Sequence, residues 1–215
     1  MVNTTSKQHI HCLLAGEVLA EMAAKALASA MPTAQLRHAY RRQATDEARH
    51  ADMFRNYLHS LGITPIEAAE MREVTAYRSF LVDAIERGRL LTLVLGVNVA
   101  LEGLASVGLA LSAQWVEGRG DDPAWVSLTR SIEQDERRHT RLAMPALCSL
   151  GAGVIPTEAR EVMGEVREAA VATLGGVGNA LAAWGIDPIA IFDASIRQAQ
   201  PMLADMLLEP RPILS

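Results

Sequence analysis

The chain has 215 residues, enough for one domain with a sizeable core or at most two small ones. Half of the residues are hydrophobic, only 4% are aromatic, and the net charge is -5 without a basic block, which excludes an extended nucleic-acid footprint. Cys12 and Cys148 lack C-x-x-C spacing, so a zinc knuckle, an iron–sulfur cluster or a rubredoxin module is excluded, and each reads as a small core residue.

The N-terminal "MVNTTSKQHIHCLLAG" lacks the apolar h-region and cleavage motif of a signal peptide, so a cytoplasmic location is expected. A first helix is predicted over about 8–30, ending before Pro32. A second runs over about 33–60, with Thr33 as N-cap and Gly62 closing it. Residues 62–88 read as a long crossover containing a short helical turn. A third helix spans about 89–117. Asp122 before Pro123 caps a fourth over about 123–149. Two more follow, about 157–174 and 188–208, separated by "LGGVGNAL" and "GIDP". No period-two strand pattern persists. Four long helices with short 1–2 and 3–4 connections and one long 2–3 crossover predict an all-α, ferritin-like four-helix bundle. We expect a single domain over 1–215, with the bundle core at about 8–149 and a helical extension at about 155–210. Residues 90–113 are long and apolar enough to cross a bilayer, but Asn98 and Glu102 sit near the middle. The expectation is a buried central helix and no membrane span.

"DEARH", residues 46–50, returns as "DERRH", residues 135–139. In each, Glu and His are three apart and share a helix face: Glu47 with His50, Glu136 with His139. Carboxylate plus neutral imidazole suits iron or manganese. A two-metal site needs further carboxylates. The third helix offers Glu102, alone in an apolar stretch where an unpartnered charge is costly. The first offers Glu17, with Glu21 as a rival one turn along. Glu17 to Glu47 is 30 residues and Glu102 to Glu136 is 34, so two antiparallel hairpins bring each pair level.

One Glu, one Glu-x-x-His, one Glu and a second Glu-x-x-His resembles the ligand order of ferritin-like di-iron carboxylate proteins. The doubled Asp-Glu-x-Arg-His resembles soluble methane and toluene monooxygenase hydroxylase subunits and acyl-carrier-protein desaturases. The resemblance covers about residues 8–149. It implies that Glu17, Glu47, His50, Glu102, Glu136 and His139 bind two irons, with Glu47 and Glu136 bridging and Asp46 and Asp135 behind the histidines. An aspartate there can accept the imidazole's other N–H, on its own helix or across to the opposite one. Arg49 and Arg138 either pair with those aspartates or are solvated.

Other residues carry weaker signals. Glu133 reads as solvent-facing or as an extra ligand, and Asn98 and Tyr40 as polar residues near the centre. Gly103, Ala105 and Gly108 read as small residues that leave a cavity or let helices pack. His9, His11, His38 and His59 read as surface or end residues, and Trp115, Trp125 and Trp184 as packing anchors.

Four carboxylates balance two ferrous ions, and the surroundings are aliphatic. The resemblance therefore implies an O2-dependent oxygenase or oxidase acting on a small, partly apolar organic substrate by hydroxylation, N-oxygenation or desaturation. Manganese fits the same donors. Electrons would come from a separate reductase or ferredoxin; no DNA partner is expected, and a homodimer is allowed. The alternative is a ferroxidase or peroxide-scavenging protein of ferritin or rubrerythrin type. A tRNA-modifying hydroxylase is a third reading, for which "RHAYRR", 37–42, is the one basic cluster.

Overall fold

The computed structural model describes residues 4–118, 120, 122–151, 156–176, 188–199 and 201. All regular structure among the described residues is helical. Helices α1 (Thr4–Ala30) and α2 (Ala34–Ser60) form the first hairpin. Thr33 turns the chain into α2 by accepting a hydrogen bond from Leu36 N at 3.2 Å. Gly62, at φ 70°, takes the chain out of it.

The expected helical turn in the crossover is a full helix, α3 (Thr75–Glu86). Tyr77, Leu81 and Ala84 recur at helical spacing and bury one face. The predicted third helix is three pieces: α4 (Leu90–Val94), a π-helical segment (Leu95–Leu101) and α5 (Glu102–Glu117). Tyr77 Oη donates to Gly96 O at 2.5 Å, inside the widened segment. A Cβ at Gly96 would lie 3.3 Å from Leu81 Cδ2, so glycine permits this close approach of α3. A carbonyl drawn sideways to a hydroxyl is one way the regular ladder gives way to a wider ring.

The predicted fourth helix also divides, into α6 (Pro123–Thr140) and α7 (Ala143–Ser149). The break follows His139, whose carbonyl accepts from Leu142 N at 3.0 Å and from Asn98 Nδ2 at 3.2 Å. Asp122 caps α6 as expected, accepting from Trp125 N at 2.9 Å. Hairpins α1–α2 and α5–α6, joined by the crossover, make the expected ferritin-like bundle. Helices α8 (Pro156–Gly176) and α9 (Pro188–Ala199) pack onto α5, α3 and the π-helical segment. The remainder of the predicted last helix, most of the stretch between the two C-terminal helices, Trp184 and the side chain of Trp115 lie outside the described residues.

The core is mainly aliphatic, with one aromatic end where Trp125 packs 6.1 Å from Phe54 and 5.1 Å from Tyr57, ring centre to ring centre. The apolar stretch Leu90–Gln114 is long enough to cross a membrane, and 67% of its most apolar window is buried within the protein. Three sequence expectations are corrected. Cys148 is exposed rather than in the core. His11 is buried, and its Nδ1 accepts from Ile66 N at 3.2 Å, tying the crossover to α1. His9 is partly buried and lines a cavity.

Candidate metal centre

Glu17, Glu47, His50, Glu102, Glu136 and His139 converge from four helical elements, and each is at most 4% exposed. Helix periodicity explains the pairs: Glu47 and His50 lie one turn apart on the inner face of α2, and Glu136 and His139 likewise on α6. Glu102 is the first residue after the π-helical segment. Glu21 points away from the cluster and pairs with Lys25 at 2.6 Å, which leaves Glu17 as the residue of α1 in the cage.

Two four-residue groups form, each with donor atoms within 4.8 Å of one another. One is Glu17, Glu47, His50 and Glu136; the other is Glu47, Glu102, Glu136 and His139. Glu47 and Glu136 belong to both. His50 Nδ1 lies 3.1 Å from Glu136, 3.2 Å from Glu17 and 3.3 Å from Glu47. His139 Nδ1 lies 2.9 Å from Glu47, 3.5 Å from Glu136 and 3.8 Å from Glu102.

Behind the cage the hairpins exchange partners. His50 Nε2 lies 3.2 Å from Asp135 Oδ2 on α6, and His139 Nε2 lies 3.3 Å from Asp46 Oδ2 on α2. Each imidazole so held turns its Nδ1 inward. Both arginines pair with these aspartates. Arg49 donates to Asp135, and Arg138 donates to Asp46 at 2.9 Å and lies 2.7 Å from Asp135.

Sequence reasoning missed Gln43. Its Nε2 donates to Glu102 Oε1 at 2.7 Å, and its Oε1 accepts from Asn98 Nδ2 at 3.0 Å. Tyr40 Oη donates to Asn98 Oδ1 at 2.8 Å, completing a buried polar chain that ends on Glu102. The available signal was spacing: Gln43 is one turn before Glu47 and Tyr40 two turns before it. In "RHAYRR" Tyr40 is wholly buried and Arg37 donates to Met31 O and Pro32 O, while His38, Arg41 and Arg42 are exposed. Glu133 stays outside the cage, paired with Arg137.

In the protein by itself, burial and then the Glu136 charge push both Glu17 and Glu102 well above the ordinary carboxylate range. Burial disfavours charge on His50, yet hydrogen bonds to Glu136, Glu17 and Glu47 raise it to about 12. His139 is raised in the same way by Asp46, Glu102, Glu136 and Glu47. Burial also opposes ionisation of Asp46, but hydrogen bonds from His139 and Arg138 outweigh it and hold that carboxyl low. Protons on these glutamates and imidazoles offset the buried charge, and metal cations can take their place. The polar atoms fit that exchange. Glu47 Oε1, both Glu136 oxygens and His139 Nδ1 are fully buried and converge with the other cage atoms on shared points between residues. Four carboxylates and two imidazoles divided into two groups suit two iron or manganese ions.

Residues 1–150 match the family model described as Methane/Phenol/Alkene Hydroxylase. The chain belongs to this hydroxylase family. It is thereby a member of the ferritin-like di-iron carboxylate superfamily, and the buried carboxylate–histidine cluster agrees. The chain is also similar in structure to a protein from Synechococcus described as having aldehyde deformylating oxidase activity. The TM-score is 0.76 at 20% sequence identity, covering 93% of this chain and 88% of that one. That likeness shows the fold. No curated protein matches the chain. Family and cluster together make this hydroxylase relative a di-iron oxygenase-type enzyme.

A cavity of about 150 Å³ adjoins the cluster. Glu17, Glu102 and Glu136 form one part of its wall; Leu13, Leu101, Leu104 and Leu174 supply much of the rest. Ala105 and Gly108 are among the small residues of its wall, with Gly16, Ala20 and Ala170. Gly103 is buried but is not part of the lining.

Proposed function

We propose that this protein is an O2-dependent di-iron oxygenase or oxidase acting on a compact, largely apolar organic molecule. In this reading Glu17, Glu47, His50, Glu102, Glu136 and His139 hold the two irons, with Glu47 and Glu136 shared between them. Two irons held there would supply reductive activation of dioxygen.

The observation that carries the reading is the cavity. An apolar space of this size suits a ligand of roughly six to eight non-hydrogen atoms, since an engineered apolar cavity of about 150 Å³ takes up benzene. Its leucines keep water from the cluster and hold an organic molecule against Glu17, Glu102 and Glu136. Asp46 and Asp135 hold the Nε2 protons of His139 and His50, so the Nδ1 atoms remain ligands. Gln43 fixes the orientation of Glu102. Small aromatics, short alkenes and short aldehydes all match the volume, the last being the class named for the Synechococcus protein. An iron-storage path would be lined with carboxylates, whereas the acids among the described lining residues are the three of the cage itself. With two separated cysteines there is no cluster for electron transfer, so reducing equivalents come from a separate donor or from the substrate.

The test is to load the chain anaerobically with Fe(II), expecting about two irons per chain, then to add O2, a chemical reductant and small aromatics, alkenes or aldehydes. Oxygen-dependent conversion of one class, abolished by Glu47→Ala, supports the proposal. Iron oxidation that proceeds unchanged with every organic compound and leaves all of them intact would point to iron handling instead.

A further inference from the structure

The family match ends at residue 150, yet α8 and α9 complete the cavity wall through Ala170, Thr173, Leu174 and Ile191. Thr173 stands out among these. Its Oγ1 is buried and makes no hydrogen bond. A helical threonine commonly satisfies its hydroxyl on a carbonyl of the preceding turn, as Thr129 does with Trp125 O at 2.8 Å. Burying a hydroxyl without a partner is unfavourable, and a ligand oxygen in the cavity would remove that penalty.

The remaining polar lining limits what that oxygen belongs to. Apart from the cage carboxylates it consists of His9, Cys12 and Tyr77. The Tyr77 hydroxyl donates to Gly96 O. Burial pushes the His9 imidazole down to about 4, and burial with the Glu73 charge pushes the Cys12 thiol up to about 12, so both are neutral at ordinary pH. No Lys or Arg is among the described lining residues. A ligand carboxylate would find no counter-charge there.

We propose that Thr173 determines specificity in this cavity by hydrogen-bonding a neutral oxygen substituent, a hydroxyl or a carbonyl, of a compact ligand. The anchored ligand then presents its apolar body to Glu17, Glu102 and Glu136. The inference rests on the cavity being the substrate site.

Phenol and benzene differ by one hydroxyl and both suit the volume. Their binding is measured by isothermal titration calorimetry on the full chain, both metal-free and loaded anaerobically with Fe(II). The wild-type chain is expected to bind phenol about five- to tenfold more tightly than benzene. Thr173→Val, which keeps the shape and removes the hydroxyl, should abolish that preference and leave benzene affinity unchanged. Thr173→Ser should retain the preference. An undiminished preference in Thr173→Val, equal weakening of both probes, or no binding of either probe to the wild type overturns the proposal. Iron stoichiometry on the same samples separates the two readings. Poor iron loading with an intact phenol preference counts against the di-iron assignment alone. Full loading without any preference counts against Thr173 alone.

Discussion

Asp46 and Asp135 act on the metal centre through histidines of the opposite hairpin. Replacing either with Asn keeps the shape but weakens the acceptor for the Nε2 proton. Each variant should bind Fe(II) or Co(II) about ten- to a hundredfold more weakly with its helical content unchanged, which metal titration and circular dichroism would check. Gln43→Leu removes the bond to Glu102 and the acceptor for Asn98, both buried. It should cost about 1–3 kcal/mol in urea unfolding and reduce metal affinity as well. Acid–base behaviour follows from the same contacts. His50 is held protonated up to about 12 by the glutamates around it and must lose that proton to bind metal. Protons and metal therefore compete, so affinity should rise from about pH 6 to about pH 8, with roughly two or more protons released per chain as both ions bind. A pH indicator in weakly buffered solution would detect the release, and its absence would contradict the assignment of both histidines.

At the scale of elements, the caps were legible because each is a local chemical event. Thr33 and Asp122 precede their helices at the position where a side-chain oxygen reaches the exposed N–H groups. Asp122 carries a second bond, accepting from Tyr57 Oη at 2.6 Å, so it joins the end of α6 to α2. Asp122→Ala should therefore destabilise by more than Thr33→Ala, for which about 1 kcal/mol is expected in thermal or urea melts. Four of the six cage residues were legible for a similar reason, since helical spacing puts Glu47 with His50 and Glu136 with His139 on one face, while Glu17 and Glu102 were reached through their apolar surroundings and the hairpin lengths. The π-helical segment was not. Residues 95–101 carry no proline, and the widening coincides with a bond from Tyr77, a residue nearly twenty positions away in the crossover. The break after His139 was partly legible, since Pro145 has no N–H to offer the carbonyl of Arg141, whereas the bond from Asn98 to the His139 carbonyl was not. Gln43 falls between the two cases: its face could be read, but its partner Glu102 depends on how the hairpins align.

Across the whole molecule, α8 and α9 lie beyond the family match yet belong to the principal core. Phe192 is wholly buried there with Val166 and Ile196. Phe192→Ala should cost about 3–5 kcal/mol, read from urea unfolding, although the residue is remote from the metal ligands. How these helices dock could not be read from the sequence, because a tertiary surface leaves no local spacing pattern. The consequence for Thr173 is the same: its hydroxyl becomes informative only once the cavity wall is assembled.

The crossed aspartate–histidine pairs also make the centre a gauge of helix alignment. Along the α2–α6 seam, Asp46 meets His139 while Asp135 meets His50, so the two helices are pinned in antiparallel register at two points. A slip of one turn, about 5.4 Å, would uncouple both imidazoles together. Both metal positions would then empty in one step, so partial loading should be rare and iron content should track the alignment of the two hairpins.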